Sequence, residues 1–424
     1  MPAYAIRRGV VLAVALVLSA GAAAACGMGQ PGPTGTAQPA ESRAAPTGDA
    51  SEPPATPSSE PTASPHSATP SPTPPPSWEA TIFNRPEPPA GISAIAEGGP
   101  GLVAVGTTAR AGAVWTLASG GEWEPVESVP ELEDEDAFVT LLDVAAAPFG
   151  IVAVGITGRQ ATDTFSSVVW LSTDDGASWT EGQQLEGAEI VALVAGGPGM
   201  VAVGQVTSAT ERPAGVSIWT TADGVAWTEI QWTDELGRAS MNDVVATESG
   251  FVAVGSTRDD PNHFPLNGGA WTSPDGASWT RVPHTAAFDD ASMSSVTVAA
   301  DRLVAVGSSS VEDVPPQPAV WTSADGSEWE RIAVELGEGG MGHVAAADGS
   351  LVAAGYTGRA PDEMILALWT STDGATWTEV PDVREEGSGG LQAALLFDGL
   401  VVAGGYAPAG EGRQPIVVTG PPPE

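Results

Sequence analysis

The chain has 424 residues, of which 53 are Asp or Glu and 15 are Arg, with no Lys, so its formal net charge is −38. Such a charge repels polynucleotides and anionic membrane surfaces and argues against a nucleic-acid partner. The absence of lysine removes Schiff-base chemistry, phosphate-loop lysines and Ser–Lys dyads. Cys26 is the single cysteine, so the chain has neither an intrachain disulfide nor a cysteine-based metal site.

The N-terminus predicts an export signal over residues 1–25. Arg7 and Arg8 supply its charged start, and the uncharged stretch Gly9–Ala25 leads directly to Cys26. This order resembles the bacterial lipoprotein signal, which implies cleavage before Cys26, acylation of that cysteine, and anchoring at the outer face of the cell membrane. Ala23 stands where that family usually has leucine. Two alternatives remain: a small-residue cleavage site that yields a secreted protein, or an uncleaved segment that is short for a spanning helix.

Residues 26–77 form a predicted linker between this signal and a folded domain over residues 78–424. The linker is rich in Pro, Ser, Thr and Ala and carries a run of three prolines, residues 74–76, near its end. Because it has few large apolar side chains to offset its ordering entropy, we expect it to be disordered or extended. Such a tether would hold the folded domain away from a membrane or through a cell wall.

One apolar motif, Val-Ala-Val-Gly or a close variant, recurs seven times after the linker. Its copies end at Gly106, Gly155, Gly204, Gly255, Gly307, Gly355 and Gly405. The intervals between these glycines are 49, 49, 51, 52, 48 and 50 residues. A period near 50 built of strands and turns is typical of a β-propeller with one four-stranded blade per repeat. We expect the Ala and Gly of the motif to let neighbouring sheets approach closely near the axis.

The fourth repeat shows the four strands of a blade, which we name A to D in chain order. Strand A is predicted over Met241–Thr247, strand B over Phe251–Gly255, strand C over Ala270–Ser273 and strand D over Ser278–Arg281. The Asp275-Gly276 pair between strands C and D predicts a tight hairpin turn with positive φ.

Paired tryptophans flank the C–D turn in six repeats. They are Trp115/Trp123, Trp170/Trp179, Trp219/Trp227, Trp271/Trp279, Trp321/Trp329 and Trp369/Trp377. The seventh repeat ends on a predicted strand C, Ile416–Thr419, with no strand D after it, whereas Ser77–Thr81 resembles strand D of the other repeats. We therefore predict an all-β, seven-bladed propeller whose last blade is completed by the N-terminal strand, which removes the open edges of the ring.

The C–D hairpins allow a family resemblance to be named. The segment Ser172–Trp179 reads Ser-Thr-Asp-Asp-Gly-Ala-Ser-Trp, and it resembles the Asp-box, the hairpin of bacterial neuraminidase repeats. Other copies depart from that pattern, as in Thr272–Trp279, where Pro274 takes the Asp position. The resemblance implies a sialidase-like propeller over residues 78–424, with the box as a structural turn away from the active face. Propellers of this kind include sialidases, other glycosidases, photosystem assembly factors and binding modules, so the fold does not fix the function.

The long, variable D–A and B–C loops share one face of a propeller, and we look for function there. Four arginines follow strand B at equivalent positions, namely Arg110, Arg159, Arg258 and Arg359. Together they could bind a carboxylate or sulfate bidentately, or each could pair with a local carboxylate. Tyr356 and Tyr406 directly follow the motif glycine in adjacent blades, where one could serve as a sialidase-type nucleophile or both could serve packing.

Three further features of this face are weaker signals. Trp232 in a D–A loop could stack on a sugar or peptide, or it could fill the space between two loops. The acidic run over residues 131–136 offers oxygen ligands for Ca²⁺ but lacks regular ligand spacing. His263 and His284 lie near each other in sequence without a third zinc ligand. We therefore predict no cofactor, with Ca²⁺ as the one weak candidate.

Two hypotheses follow for function. The first is a non-enzymatic binding or scaffolding propeller outside the cell membrane, which meets a protein or a glycan of the cell envelope through its D–A and B–C loops. The second is an exported glycoside hydrolase of the sialidase-like class, which needs a tyrosine, carboxylates and at least three arginines gathered at the channel mouth. The sequence lacks the Arg-Ile-Pro motif that usually marks sialidases.

Overall fold

A computed structural model describes most of the chain after the linker. The described residues are 77–83, 90–108, 111–126, 138–159, 164–197, 199–206, 214–231, 233–259, 266–309, 311, 314–359, 364–383, 389–409 and 412–423. Within them no helix is both long and apolar enough to cross a membrane.

The described residues form seven four-stranded antiparallel sheets, which confirms the predicted seven-bladed β-propeller. In chain order the strands are β1 (Glu79–Ile82), β2 (Ala90–Gly98), β3 (Gly101–Thr108), β4 (Ala111–Ala118), β5 (Trp123–Pro125), β6 (Phe138–Ala147), β7 (Gly150–Arg159), β8 (Thr164–Ser172), β9 (Thr180–Leu185), β10 (Ala188–Gly196), β11 (Gly199–Val206), β12 (Val216–Thr221), β13 (Thr228–Ile230), β14 (Ala239–Thr247), β15 (Gly250–Thr257), β16 (Asn267–Ser273), β17 (Thr280–Arg281), β18 (Ala291–Ala299), β19 (Arg302–Ser309), β20 (Pro318–Ser323), β21 (Glu330–Ile332), β22 (Gly339–Ala347), β23 (Ser350–Thr357), β24 (Ile365–Ser371), β25 (Thr378–Glu379), β26 (Gly390–Phe397), β27 (Leu400–Ala409) and β28 (Gly412–Gly420).

Blades one to six use four consecutive strands each, from β2–β5 to β22–β25, and blade seven is ordered β1-β28-β27-β26. β1 therefore takes the place of strand D in the last blade, with Glu79 opposite Thr419 and Ile82 opposite Ile416. Trp78 packs against the apolar cluster of this blade. The first strand of the propeller thus lies beside the last one, so the seventh sheet has its four strands.

The core lies between neighbouring blades, and strand B is its most buried part. In the fourth blade Val252, Ala253 and Val254 are all 2% exposed or less. Each apolar cluster joins two blades, as where Val154 of β7 packs with Ile190 of β10. Strand B is covered on both faces because it is sandwiched by sheets, which explains why its sequence is apolar without alternation.

The motif glycine is required by a β-bulge inside its own blade. In the fourth blade the pairing of β14 with β15 shifts register between Met241 and Asp243. A Cβ added at Gly255 would lie 2.0 Å from the carbonyl oxygen of Ser240 on the bulged strand. Since the other six motif glycines meet the same obstruction, the close approach lies within a blade, and our expectation that it lies between sheets was wrong.

The C–D connection is longer than predicted, because β16 ends at Ser273 as expected but β17 begins only at Thr280 and not at Ser278. The Ser273 Oγ accepts a hydrogen bond from the Gly276 N–H at 2.9 Å, and Gly276 has the expected positive φ of 78°. Asp275 accepts from the N–H groups of Ala277 and Ser278. The Asp side chain thus organises a six-residue connection by satisfying backbone donors.

Candidate functional site

The D–A and B–C face is built on loops that tryptophans of strand C hold in place. Short 3₁₀ helices occupy three D–A loops, at Asp234–Leu236, Ala286–Phe288 and Pro381–Val383. The indole N–H of Trp271 donates to the Leu236 carbonyl at 3.2 Å, and that of Trp321 donates to the Ala287 carbonyl at 2.7 Å. In blades four and five, a buried tryptophan therefore binds the loop that enters the same blade.

An ion pair joins the B–C loop of the fourth blade to strand D of the same blade. Arg281 of β17 binds Asp259 bidentately, with both N–O distances at 2.7 Å. The hydrogen bonds from Arg281 are the main cause that lowers the pKa of the Asp259 carboxyl. Because the contact is bidentate, this pair fixes the B–C loop against strand D.

The four predicted arginines are only partly within the described residues. Arg110 lies outside them, and Arg159 ends β7, where only its backbone is described. Arg258 follows β15 in blade four, and its N–H donates to the Arg238 carbonyl at 2.8 Å. Arg359 follows β23 in blade six, and its Nε lies 2.8 Å from the Glu338 carboxylate. Arg258 and Arg359 therefore stand two blades apart, and Arg359 has a local carboxylate partner.

Tyr356 and Tyr406 directly follow the motif glycine of strand B in blades six and seven, and their rings lie over glycines of strand A in the same blade. A Cβ at Gly340 would lie 3.2 Å from the Tyr356 hydroxyl, and a Cβ at Gly390 would lie 3.2 Å from that of Tyr406. Tyr406 is only 7% exposed, and the Arg413 guanidinium lies 4.3 Å from its ring centroid. Burial raises the pKa of both phenols, so each hydroxyl stays protonated at neutral pH.

Among the described residues no carboxylate hydrogen-bonds either phenol, although a nucleophilic tyrosine needs a base to take its proton. Three other predicted features of this face lie outside the described residues, namely Trp232, His263 and the acidic run 131–136, and so does the predicted lipidation site, Cys26. His284 is described, and its Nε2 lies 2.9 Å from Asp289.

Sequence reasoning missed a ring of polar side chains near the axis, each placed just after the bulge in strand A. Each acceptor atom binds a backbone N–H of the next blade, and the donor is the residue directly after that blade's own equivalent position. The four bonds run from Leu193 N–H to Asp143 Oδ2 (2.7 Å), from Val296 N–H to Asp243 Oδ2 (2.8 Å), from Val344 N–H to Ser295 Oγ (3.2 Å) and from Ala394 N–H to His343 Nδ1 (3.3 Å). The equivalent residue in blades one, three and seven is alanine: Ala94, Ala192 and Ala393.

We call this ring, residues 94, 143, 192, 243, 295, 343 and 393, the bulge ring. Its members stand twelve residues before the motif glycine in every repeat, a regularity that an alignment of the repeats could have revealed. Bulges free one backbone N–H from the ladder, and a side-chain acceptor on the neighbouring blade satisfies it.

The charged members of the bulge ring perturb one another. Burial raises the pKa of Asp143 to about 7, although the N–H donors of Leu193 and Val144 oppose this effect. Burial likewise raises the pKa of Asp243, and His343 opposes this effect. Burial lowers the pKa of His343, and Asp243 opposes it. The axis therefore holds two carboxyls and one imidazole in an environment that disfavours their charged forms.

The bulge ring contains Ser, His and Asp but is not arranged as a nucleophilic triad. The Ser295 hydroxyl donates directly to Asp243 Oδ2 at 2.7 Å, whereas a nucleophilic serine would donate to a histidine. His343 instead accepts from a backbone N–H. Within the part of the chain that the structure describes, no three His, Cys, Asp or Glu side chains are placed to hold a metal ion.

A cavity opens on the D–A and B–C face between blades five and six. It has a volume of about 260 Å³ and is lined by Gln317, Pro318 and residues 334–337. The B–C loop that leads to Gln317 exposes Val311 and Val314, which are 41% and 48% accessible. The lining itself combines aliphatic groups with an amide, Gln317, and a carboxylate, Glu335, and we call this site the blade 5–6 groove.

Comparison with known proteins shows similarity in the fold alone. No protein-family model matches the chain, and no curated protein does. An α-L-arabinanase of Penicillium chrysogenum complexed with arabinobiose is 14% identical, with a TM-score of 0.45, over 70% of this chain and 95% of that one. Trypanosoma rangeli sialidase in complex with the inhibitor DANA is 13% identical, with a TM-score of 0.47, over 71% of this chain and 56% of the sialidase. An α-L-arabinofuranosidase of Fusarium graminearum is 13% identical, with a TM-score of 0.40.

Proposed function

We propose that this chain is a binding propeller, held at the outer face of a bacterial membrane through Cys26, which captures a protein of the cell envelope in the blade 5–6 groove. The groove carries the proposal, because it is a concave site on the D–A and B–C face and the B–C loop that leads to it carries exposed aliphatic side chains. Exposed valines such as Val311 and Val314 favour burial against a partner.

The lining chemistry favours a protein over a glycan. Pro318, Val334 and Leu336 offer aliphatic contacts, whereas sugar rings usually stack on exposed aromatic side chains. The net charge of −38 adds a preference for a cationic segment, since complementary charge speeds encounter with the partner. Glu335 lies in the groove itself and would meet such a segment directly.

Crosslinking in the intact cell envelope tests this proposal. A photoreactive residue replacing Val314 in the full chain should capture a partner protein, and the same residue replacing Val225, which is 61% exposed in a C–D turn, should not. Val314→Asp and Leu336→Asp should abolish capture by a probe placed at Val311, whereas Val225→Asp should leave it unchanged. Equal capture from both probe positions would show that the groove has no special role.

The alternative function is an exported glycoside hydrolase of the sialidase-like class. Two phenols at equivalent positions in neighbouring blades favour it, but their raised pKa values and the Arg359–Glu338 pair speak against it. The test is a panel of fluorogenic glycosides, sialosides included, with and without Ca²⁺. Turnover that Tyr356→Phe or Arg359→Ala abolishes would replace the binding function by catalysis.

A further inference from the structure

Blade seven is tied to its neighbours by one bond of the bulge ring, as blade three is through Asp143, but in blade seven the acceptor is a histidine. On its blade-six side, its Ala394 N–H is bound by His343. On its blade-one side, the ring residue is Ala393, which has no side-chain acceptor to offer. His343 is therefore the single ring side chain that ties blade seven to a neighbour, and blade seven is also the blade that β1 completes.

The three kinds of ring acceptor respond differently to protons. A serine hydroxyl such as that of Ser295 does not titrate in the physiological range, and a carboxyl keeps a carbonyl oxygen as acceptor even when it is protonated. A neutral imidazole accepts through one nitrogen only while the other nitrogen carries the proton. Because His343 Nδ1 accepts from Ala394, its proton is assigned to Nε2. If Nδ1 were protonated as well, two N–H donors would face each other and the bond from the Ala394 N–H would be lost.

The groups around His343 determine how readily its imidazole takes up this second proton. Burial disfavours protonation of His343, whereas Asp243 on β14 favours it. Burial raises the pKa of Asp143 on β6, and Asp243 adds to this effect. On the strands packed against β22, the other titratable groups are Tyr356 of β23 and Arg302 of β19, and Arg302 pairs with Asp301 at 3.2 Å. β18 and β26 carry no titratable side chain.

We propose that the bond from the Ala394 N–H to His343 is a pH-sensitive latch between blades six and seven, and that protonation of His343 opens this seam. Acidification would then loosen blade seven, which β1 completes. The bond from the Val344 N–H to Ser295, between blades five and six, would stay intact. The latch does not depend on the proposed binding function, because it follows from the chemistry of one acceptor atom.

Amide hydrogen exchange in the full chain tests the latch, with rates corrected for the intrinsic effect of pH. Between pH 7.5 and 5, protection of the Ala394 amide should fall relative to that of Val344, by at most tenfold per pH unit for uptake of one proton. Val344 is the matched control, because a serine holds it at the same ring position. Parallel behaviour of the two amides at every pH would overturn the proposal.

His343→Ser copies the neighbouring serine latch and should make the Ala394 protection independent of pH. Persistence of the pH dependence in this variant would also overturn the proposal. If the variant does not fold, ¹⁵N NMR of the wild-type imidazole decides: the latch requires Nδ1 to be unprotonated at pH 7.5 and protonated when Ala394 exchange accelerates. An imidazole with its proton on Nδ1 at pH 7.5 would contradict it.

Discussion

The C–D hairpins at the outside of the blades and the bulge ring at the axis follow opposite rules. In five hairpins the same groups recur: a Ser or Thr hydroxyl accepts from the glycine N–H, and the indole N–H donates to the glycine carbonyl, as at Ser273, Gly276 and Trp279. In the bulge ring one backbone position carries alanine, aspartate, serine or histidine, as at Asp243, Ser295 and His343. The hairpins are therefore alike from blade to blade, whereas the side chain in the bulge ring differs between blades.

The two regions also treat carboxyl groups in opposite ways. Backbone N–H donors from Thr376 and Ala375 lower the pKa of the exposed Asp373 in a hairpin to about 2. At the axis, burial raises the pKa of Asp143 to about 7 despite its own N–H donors. Water solvates the charge in the hairpin and is largely excluded at the axis, so the same hydrogen bonds have different outcomes.

The largest loss of stability is expected when a tryptophan of strand C is replaced. Trp271→Ala removes a side chain that is 0% exposed and should lower the free energy of unfolding by about 3–5 kcal/mol. Trp321→Ala, at the equivalent place in blade five, should cost the same if the blades are alike in this region. Urea unfolding measures both, with the exposed Val225→Ala as control. Clearly unequal losses for the two tryptophans would contradict the equivalence of the blades.

The motif glycine should be the next most sensitive position, because it faces the bulge that creates the ring. Gly255→Ala would bring a Cβ to 2.0 Å from the Ser240 carbonyl and should destabilise the chain by about 1–3 kcal/mol, as overpacking does. Gly342 is the control within a bulge, since its Cβ would have no contact closer than 3.8 Å. A Gly342→Ala variant as unstable as Gly255→Ala would show that obstruction is not the reason for the motif glycine.

The regions differ as well in how far the sequence predicts them. Strand order, the hairpins and the strand that completes the last blade follow from groups close in sequence, such as Asp275-Gly276 between two tryptophans, repeated at a period near 50. The ring bonds join residues 50, 53, 49 and 51 positions apart. They depend on which strand A residue the bulge turns toward the next blade, and no local pattern specifies that.

The candidate site likewise has features that the sequence predicts and features that it does not. The sequence directs attention to the D–A and B–C loops, and the proposed blade 5–6 groove lies there, but its residues are ordinary ones such as Pro318 and Leu336. Arginines and tyrosines attract attention because of their chemistry, and in the structure Arg359 pairs with Glu338 while Tyr406 is buried. A groove arises from the shape of two loops, which the identity of their residues does not show.

The pH dependence of the stability that Asp143 contributes tests the contrast between buried carboxyls at the axis and exposed carboxyls in the hairpins. Because its folded pKa of about 7 exceeds the unfolded value of about 3.9, its contribution to stability is complete below about pH 4 and is lost as the pH rises through 7. The melting temperature of Asp143→Asn minus that of the wild type should therefore shift in favour of the variant from pH 4.5 to pH 8. A difference that stays constant over this range would show that Asp143 titrates normally.

The smallest effect is expected at Asp373, and it should have the opposite sign. Its pKa is lowered to about 2, so its stabilising contribution is present above about pH 4 and is lost as the pH falls towards 2. The penalty of Asp373→Asn should accordingly shrink on acidification below pH 4, and exposure to solvent should keep it small at every pH. Melting curves of this variant and the wild type between pH 5 and pH 2.5 measure the change. If the penalty instead grew on acidification, the hairpin carboxyl would behave like the axial one, and the distinction between a solvated rim and a desolvated axis would fail.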